Sequence, residues 1–125
     1  MKEKILVAED NPQNMRLIEM VLRSKGYRLL KAEDGEAAVA IAARERPALI
    51  IMDMQLPRIS GFAATRRIRA MPELGHTPII GVTAYAMKGD REKTIKAGCD
   101  FYLSKPISTR GLPELIEKIL SAKPK

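Results

Sequence analysis

The sequence predicts an α/β fold in which five parallel strands alternate with five helices in one doubly wound sheet. Five short apolar runs alternate with segments of helical length, and this regular alternation is typical of a parallel sheet with helices on both faces. Three of the runs are almost continuously apolar, as expected for strands that are covered on both faces. The 125 residues of the chain correspond to one domain of ordinary size.

The five apolar runs have the length of strands. They are residues 5–8, 28–32, 48–52, 78–82 and 101–103. The second run is more polar than the others, which suits a strand at the edge of the sheet. In the flavodoxin-like (βα)5 fold that this pattern predicts, the strand order is 2-1-3-4-5 and the crossovers are right-handed.

Helical spacing and a capping residue mark the first helix. Met15, Ile18 and Leu22 recur at i, i+3 and i+7, so they share one helix face. Asn11 followed by Pro12 places a capping side chain before a proline at the first helical position. These residues predict that the first helix begins at about residue 12 and packs its apolar face on the sheet.

The later helices carry similar signals. Small or apolar residues at positions 61, 64 and 68 give the third helix a buried face, and a stripe at 112, 115, 116 and 119 marks the fifth. Gly26 and Gly98 stand where the first and fourth helices should end. Pro47 and Pro78 introduce the following strands. We therefore expect a single domain over residues 1–125, with a core at about 4–121 and a short tail at 122–125.

Composition restricts the location and the class of partner. No apolar run approaches the ~20 residues that span a bilayer, and the first residues do not form a signal peptide. The single cysteine, Cys99, cannot form an internal disulfide and is expected to be a small buried apolar residue. These features predict a cytoplasmic protein that has no membrane partner.

The net charge of +7 raises the question of an anionic partner. The basic residues are spread along the chain, and most alternate with acidic ones. The densest group, Arg66, Arg67 and Arg69, is expected to form a solvated helix face. An acidic protein surface or a nucleic acid remains an alternative, and the nucleic acid is the less favoured of the two.

Polar residues follow the predicted strands at the points where the strands end. Strand one runs into Glu9 and Asp10, and strand three runs into Asp53. Ligands of open parallel sheets bind beyond the carboxyl ends of the strands. Because strands one and three are neighbours in the predicted order, the three carboxyl groups should converge on one point.

Three carboxylates at close range repel one another unless a cation neutralises them. A hard divalent cation with oxygen ligands is the natural partner, and Mg²⁺ suits a site of a few carboxylates, whereas zinc or copper would favour His and Cys ligands. Thr83 follows strand four and Lys105 follows strand five, so a hydroxyl and an ammonium group flank the same pocket. These groups together are what a transferring phosphoryl group needs. Asp53 is best placed to be the carboxylate nucleophile.

Four motifs resemble those of response-regulator receiver domains, and the resemblance covers essentially the whole chain. They are ILVAEDN at 5–11, IMDMQLP at 51–57 running on to SG at 60–61, TA at 83–84, and KP at 105–106. The resemblance implies that Asp53 accepts a phosphoryl group from a phosphohistidine on a histidine kinase or a histidine phosphotransfer protein. The protein would then be a phosphoacceptor that assists its own phosphorylation and dephosphorylation, not an enzyme with a separate substrate.

The resemblance also implies roles for the residues around Asp53. The Mg²⁺ ligands would be Glu9, Asp10, Asp53 and the main-chain carbonyl of Gln55, and Mn²⁺ could substitute for Mg²⁺. Thr83 and Lys105 would contact the phosphoryl oxygens. The bond between Lys105 and Pro106 corresponds to a cis peptide bond of the family.

A conformational switch is a further implication of the resemblance. Tyr102 matches the family's aromatic switch residue and is expected to turn inward when Thr83 moves toward the phosphoryl group. This movement would repack the surface of helix 4, strand 5 and helix 5, where a downstream protein would bind. Gln55 and Tyr85, each two positions after a site residue, are expected to line the route of the water that removes the phosphoryl group.

Several alternatives remain open at the level of the sequence. A stand-alone response regulator is favoured, and the protein could also be a receiver module of a hybrid histidine kinase or larger regulator, or a phosphorylation-independent adapter. A flavodoxin-like cofactor binder is disfavoured because residues 10–13 are acidic and proline-stiffened instead of rich in Ser, Thr and Gly. The sequence is compatible with a monomer or a phosphorylation-dependent dimer.

Overall fold

The computed structural model of the protein describes residues 3–84 and 89–122. Its elements in chain order are β1 (Lys4–Ala8), α1 (Pro12–Ser24), β2 (Arg28–Ala32), α2 (Gly35–Glu45), β3 (Leu49–Asp53), α3 (Gly61–Arg69), a 3-10 turn (Pro72–Leu74), β4 (Ile79–Thr83), α4 (Asp90–Ala97), β5 (Phe101–Ser104) and α5 (Gly111–Ser121). The five strands are parallel and lie in the order β2-β1-β3-β4-β5. The predicted fold class and strand order are confirmed.

Apolar side chains alternate between the two faces of the sheet and build two core clusters. In β1, Ile5 and Val7 pack toward α1 and α5, whereas Leu6 and Ala8 pack toward α2 and α3. The middle strands β1, β3 and β4 are almost wholly buried, and β2 at the edge is mostly half-exposed, as predicted. Each fully buried Leu or Ile side chain stabilises the fold by about 1.5–3 kcal/mol.

Polar side chains cap three of the helices at the end of the sheet where the strands finish. Asn11 Oδ1 accepts hydrogen bonds from two amide groups of the first turn of α1, at 2.9 and 3.0 Å. Asp34 and Ser60 cap α2 and α3 in the same way. Such caps contribute about 1 kcal/mol each and fix where the helices begin.

In the described ranges, no helix is long and apolar enough to cross a membrane.

Strands β3 and β4 begin and end one residue later than predicted from the sequence. Asp53 and Thr83 are the last residues of these strands, and they pair in register with Val82 and Ser104. The apolar pattern stops one residue earlier because these two side chains face the site, while the backbone ladder continues. Both side chains are therefore held by the sheet itself.

The arginine cluster of α3 is only partly a solvated face. Arg66 and Arg67 are exposed, as predicted, but the side chain of Arg69 is only 19% exposed and its Nη2 lies 2.6 Å from Oδ2 of Asp100. The Arg69 guanidinium also donates to the main-chain carbonyl groups of Leu74, Gly75, Thr77 and Gly98. The prediction was wrong for Arg69, because the loops before β4 and β5 bring several acceptors within its reach.

Cys99 is buried, as predicted, at the turn between α4 and β5. Its Sγ lies 3.8 Å from the hydroxyl of Thr65 on α3. Burial raises the pKa of the Cys99 thiol to about 11. A thiol with these properties carries little thiolate near neutral pH and therefore acts as a packing residue.

Candidate functional site

The sequence-predicted polar residues meet at the carboxyl ends of four neighbouring strands. Glu9 and Asp10 follow β1, Asp53 ends β3, Thr83 ends β4, and Lys105 follows β5. These strands are adjacent in the sheet, so residues that are up to 96 positions apart in sequence come into contact. The result is one polar pocket at the edge where ligands of doubly wound sheets bind.

Three carboxylates form the acidic part of the pocket. One carboxylate oxygen each from Glu9, Asp10 and Asp53 lies within 4.8 Å of the other two. Glu9 and Asp53 are each 2% exposed, whereas Asp10 is exposed, so the cluster opens to solvent at Asp10. Burial and, to a smaller extent, the charge of Asp53 raise the pKa of Glu9, while the main-chain N–H of Asn11 and the Lys105 ammonium oppose this rise.

Lys105 links two of the carboxylates. Its Nζ lies 2.9 Å from Asp53 Oδ2 and 3.1 Å from Glu9 Oε1. Burial by itself would lower the pKa of Lys105, but its hydrogen bonds and the negative charges of Asp53 and Glu9 outweigh this effect, and the pKa is raised. Lys105 therefore stays an ammonium group. The peptide bond between Lys105 and Pro106 is cis.

The donor set of the pocket fits a hard divalent cation. When ionised, the three carboxylates together with the Lys105 ammonium carry a net charge of −2, from three negative groups and one positive group. The cluster offers only oxygen ligands and is open on one side, so bound water molecules can complete the coordination. These are the properties of Mg²⁺ sites, and they do not match the nitrogen and sulfur ligands of zinc.

Gln55 connects the ends of β3 and β4 beside Asp53. Its main-chain N–H donates to Asp53 Oδ1 at 2.9 Å. Its side-chain Oε1 accepts from the hydroxyl of Thr83 at 3.3 Å and from the main-chain N–H of Ala84 at 3.4 Å. Thr83 itself is fully buried. The contact between the Gln55 side chain and the end of β4 was not predicted from the sequence, because it depends on the path of the loop after β3.

The N-terminus of α3 packs directly behind Asp53. A Cβ atom on Gly61 would overlap the main-chain carbonyl of Asp53. The Gly61 N–H also donates to the carbonyl of Met54 at 3.0 Å. Gly61 belongs to a motif of the sequence, but the sequence does not reveal this close approach, which only glycine permits.

Tyr102 lies on β5 and contacts the start of α4. The residue is half-buried, and its hydroxyl donates to Asp90 Oδ2 at 3.1 Å. Asp90 is the first residue of α4. Asp90 was not predicted from the sequence, where its one signal is its position after Gly89 at the start of a helix. Tyr85, which was predicted to line a water route, lies outside the described residues.

Most of the sequence matches one family of known proteins. Residues 5–117 match the family described as the response regulator receiver domain. The chain belongs to this family. The polar-differentiation response regulator DivK of Brucella anthropi is 42% identical to this receiver domain over 121 residues, which cover 97% of the chain and 96% of DivK.

Solved receiver structures have the same fold. The receiver domain of the sensor histidine kinase PA1611 from Pseudomonas aeruginosa PAO1, solved with a magnesium ion coordinated in its active site cleft, is 42% identical with a TM-score of 0.90. The match covers 97% of this chain and 99% of that domain. The Mn²⁺-bound form of the response regulator Rcp1 is 26% identical with a TM-score of 0.80, over 95% of this chain and 92% of Rcp1.

Proposed function

We propose that Asp53 of this receiver domain accepts a phosphoryl group from a phosphohistidine on a histidine kinase or a histidine phosphotransfer protein. One observation carries the proposal: the buried Asp53 carboxylate ends the central strand of the sheet, 2.9 Å from the Lys105 ammonium and within 4.8 Å of two further carboxylates. A carboxylate in such a setting can act as a covalent acceptor of a phosphoryl group.

The transfer exchanges one bond to phosphorus for another. An oxygen of Asp53 forms the new O–P bond, the N–P bond of the phosphohistidine breaks, and the departing imidazole takes up a proton. The Lys105 ammonium and the Thr83 hydroxyl would donate to the phosphoryl oxygens and stabilise the charge that these oxygens carry. In the second half of the cycle, water attacks phosphorus, the bond between phosphorus and the Asp53 oxygen breaks, and inorganic phosphate leaves the restored carboxylate.

The same pocket would hold a divalent cation. The proposed ligands are Glu9, Asp10, Asp53 and the main-chain carbonyl of Gln55, with Mg²⁺ as the cation and Mn²⁺ as a substitute. The bound cation would neutralise charge on the phosphoryl oxygens and on the clustered carboxylates. The net charge of the cluster and the metal ions bound to the PA1611 receiver and to Rcp1 support this assignment.

Tyr102 is the proposed connection between the site and a binding surface formed by α4, β5 and α5. If Thr83 moves toward the phosphoryl group and Tyr102 turns inward, the hydrogen bond from Tyr102 to Asp90 at 3.1 Å must break. Because Gly89 provides no side-chain cap, this loss would loosen the first turn of α4. A downstream protein would then bind one of two conformations of this surface in preference to the other.

The domain organisation is part of the proposal. We infer one receiver domain with a core at about 4–121, acting as a stand-alone regulator, and the match to DivK over 96% of its length supports this. A module of a hybrid kinase is the second candidate, because a kinase receiver domain is equally similar in sequence. The proposed oligomeric state is a monomer or a phosphorylation-dependent dimer.

The proposal is tested by intact mass after incubation with acetyl phosphate, with and without Mg²⁺. We expect one phosphoryl adduct in the wild type with Mg²⁺ and none in Asp53→Asn, which lacks the nucleophile. The matched variant Asp10→Asn keeps the nucleophile and replaces one charged metal ligand with a neutral one, so its adduct should require a higher Mg²⁺ concentration. An undiminished adduct in Asp53→Asn would refute the assignment.

A further inference from the structure

The side chain of Gln55 occupies the hydrogen-bond donors at the end of β4. Its Oε1 accepts from the Thr83 hydroxyl at 3.3 Å and from the Ala84 N–H at 3.4 Å, while its own main-chain N–H holds Asp53 Oδ1 at 2.9 Å. One residue thus contacts both the proposed phosphoacceptor and two donors on the neighbouring strand. For the side chain of Gln55, the sequence predicted only a place along the route of water to Asp53.

These two donors lie where a phosphoryl group on Asp53 would need them. Asp53 is paired in register with Val82, so the end of β4 faces the end of β3 across one ladder step. A phosphoryl group presents three strong acceptor oxygens. Thr83 is fully buried, and a buried hydroxyl needs hydrogen-bond partners in each state of the protein.

We propose that the Gln55 amide oxygen is a placeholder for a phosphoryl oxygen. It accepts from Thr83 and Ala84 while Asp53 is unmodified, and it gives up both donors when Asp53 is phosphorylated. Gln55 is thus a positioning residue that opposes phosphorylation, because its hydrogen bonds stabilise only the unmodified state. This inference rests on the proposed function of Asp53.

The chemistry of glutamine suits this role. Its amide oxygen is a neutral acceptor, so it can approach the acidic pocket without the repulsion that a carboxylate would meet. Bonds of 3.3 and 3.4 Å are at the long end of the hydrogen-bond range, and charged phosphoryl oxygens form shorter and stronger bonds. Gln55 is half-exposed, so its displaced amide can be hydrated.

The substitution Gln55→Met separates this role from the exclusion of water. Methionine has a similar length and bulk but lacks a strong acceptor, so a steric barrier to water stays while the placeholder is lost. The main-chain carbonyl that is the proposed metal ligand is unchanged. Gln13→Met is the matched control, because Gln13 is exposed on α1 and lies outside the pocket.

The experiment titrates each protein, in the presence of Mg²⁺, with beryllium fluoride, a stable mimic of a phosphoryl group on a carboxylate. Gln55→Met should bind the mimic about three- to tenfold more tightly than the wild type, because one or two weak hydrogen bonds no longer compete. Without the mimic, amide hydrogen exchange at Ala84 should be faster in Gln55→Met. Gln13→Met should match the wild type in both measurements.

Two kinds of failure can be told apart. If the wild type binds the mimic but Gln55→Met binds it equally or more weakly, the placeholder role is refuted and phosphorylation of Asp53 stands, whatever the exchange rate at Ala84. If the wild type neither binds the mimic nor forms a Mg²⁺-dependent adduct with acetyl phosphate, the proposed function itself fails, and the placeholder role fails with it.

Discussion

Lys105 holds two buried carboxylates at close range. Its ammonium lies 2.9 Å from Asp53 and 3.1 Å from Glu9, and it neutralises part of a charge that would otherwise drive the cluster apart. A buried charge that loses its partner is strongly unfavourable. Lys105 therefore keeps the two carboxylates close together at the carboxyl ends of β1 and β3.

Arg69 connects several segments of the chain at the end of the sheet opposite the site, just as Lys105 connects two carboxylates within the site. It joins the end of α3 to the loops that precede β4 and β5. Arg69→Met keeps the apolar stem and leaves several carbonyl groups and Asp100 without this donor, so we expect a loss of about 2–4 kcal/mol in the free energy of unfolding. Urea denaturation measures this loss.

Two neighbouring arginines provide the control for Arg69. Arg66 and Arg67 lie on the same helix and are exposed, so Arg66→Met and Arg67→Met should change the free energy of unfolding by less than about 0.5 kcal/mol. Equal stability of Arg69→Met and Arg66→Met would show that the hydrogen bonds of Arg69 contribute nothing net.

Single residues differ in how far the sequence predicts their place. Glu9, Asp10 and Asp53 could be placed together because strand ends and strand order suffice to locate them. Arg69 and Asp90 could not, since their partners lie in loops or on another element, and residue spacing does not determine those paths. The side-chain contacts of Gln55 belong to the same class.

At the level of elements, α3 and β3 fit together through a glycine. Gly61 begins α3, and its missing side chain lets the helix rest on the main-chain carbonyl of Asp53. Ser60 caps the same helix turn, because its Oγ accepts from the main-chain N–H of Ala63 at 3.1 Å. The position of β3, which ends at Asp53, thus depends on a contact between backbones.

Gly61→Ala should disturb this contact. The added methyl group would overlap the carbonyl of Asp53, so we expect a loss of about 1–3 kcal/mol in the free energy of unfolding and slower phosphorylation by acetyl phosphate. Gly75→Ala is the control: its Cβ would meet its nearest neighbour, the Pro72 carbonyl, at 3.7 Å, which is ordinary contact. If the two variants were equally stable, the packing of α3 on Asp53 would not matter for the fold.

Elements were predictable where local signals are strong. The cap at Asn11 and the apolar spacing of α1 placed that helix correctly. The ends of β3 and β4 were one residue short, because hydropathy follows burial of side chains and a strand ladder follows backbone pairing. The difference of one residue matters here, since it makes Asp53 and Thr83 part of the sheet.

At the level of the whole molecule, the strand order creates the site. β1 and β3 are neighbours, β4 and β5 follow, and helices cover both faces, so the carboxyl ends of the strands are left as the place where polar groups meet. This arrangement could be predicted because strand spacing, helix caps and apolar patterning all indicate one fold. The site is acidic although the whole chain has a net charge of +7. The net charge of the chain therefore does not indicate where the site lies.

Phosphorylation of Asp53, and of no other carboxylate, is most directly tested by chemical trapping. After incubation with acetyl phosphate and Mg²⁺, borohydride reduces an acyl phosphate to an alcohol and so converts a phosphorylated aspartate to homoserine. Mass mapping of the peptides then locates the reduced residue. We predict homoserine at position 53 alone, and a reduced residue at Glu9 or Asp10, with position 53 unchanged, would contradict the assignment.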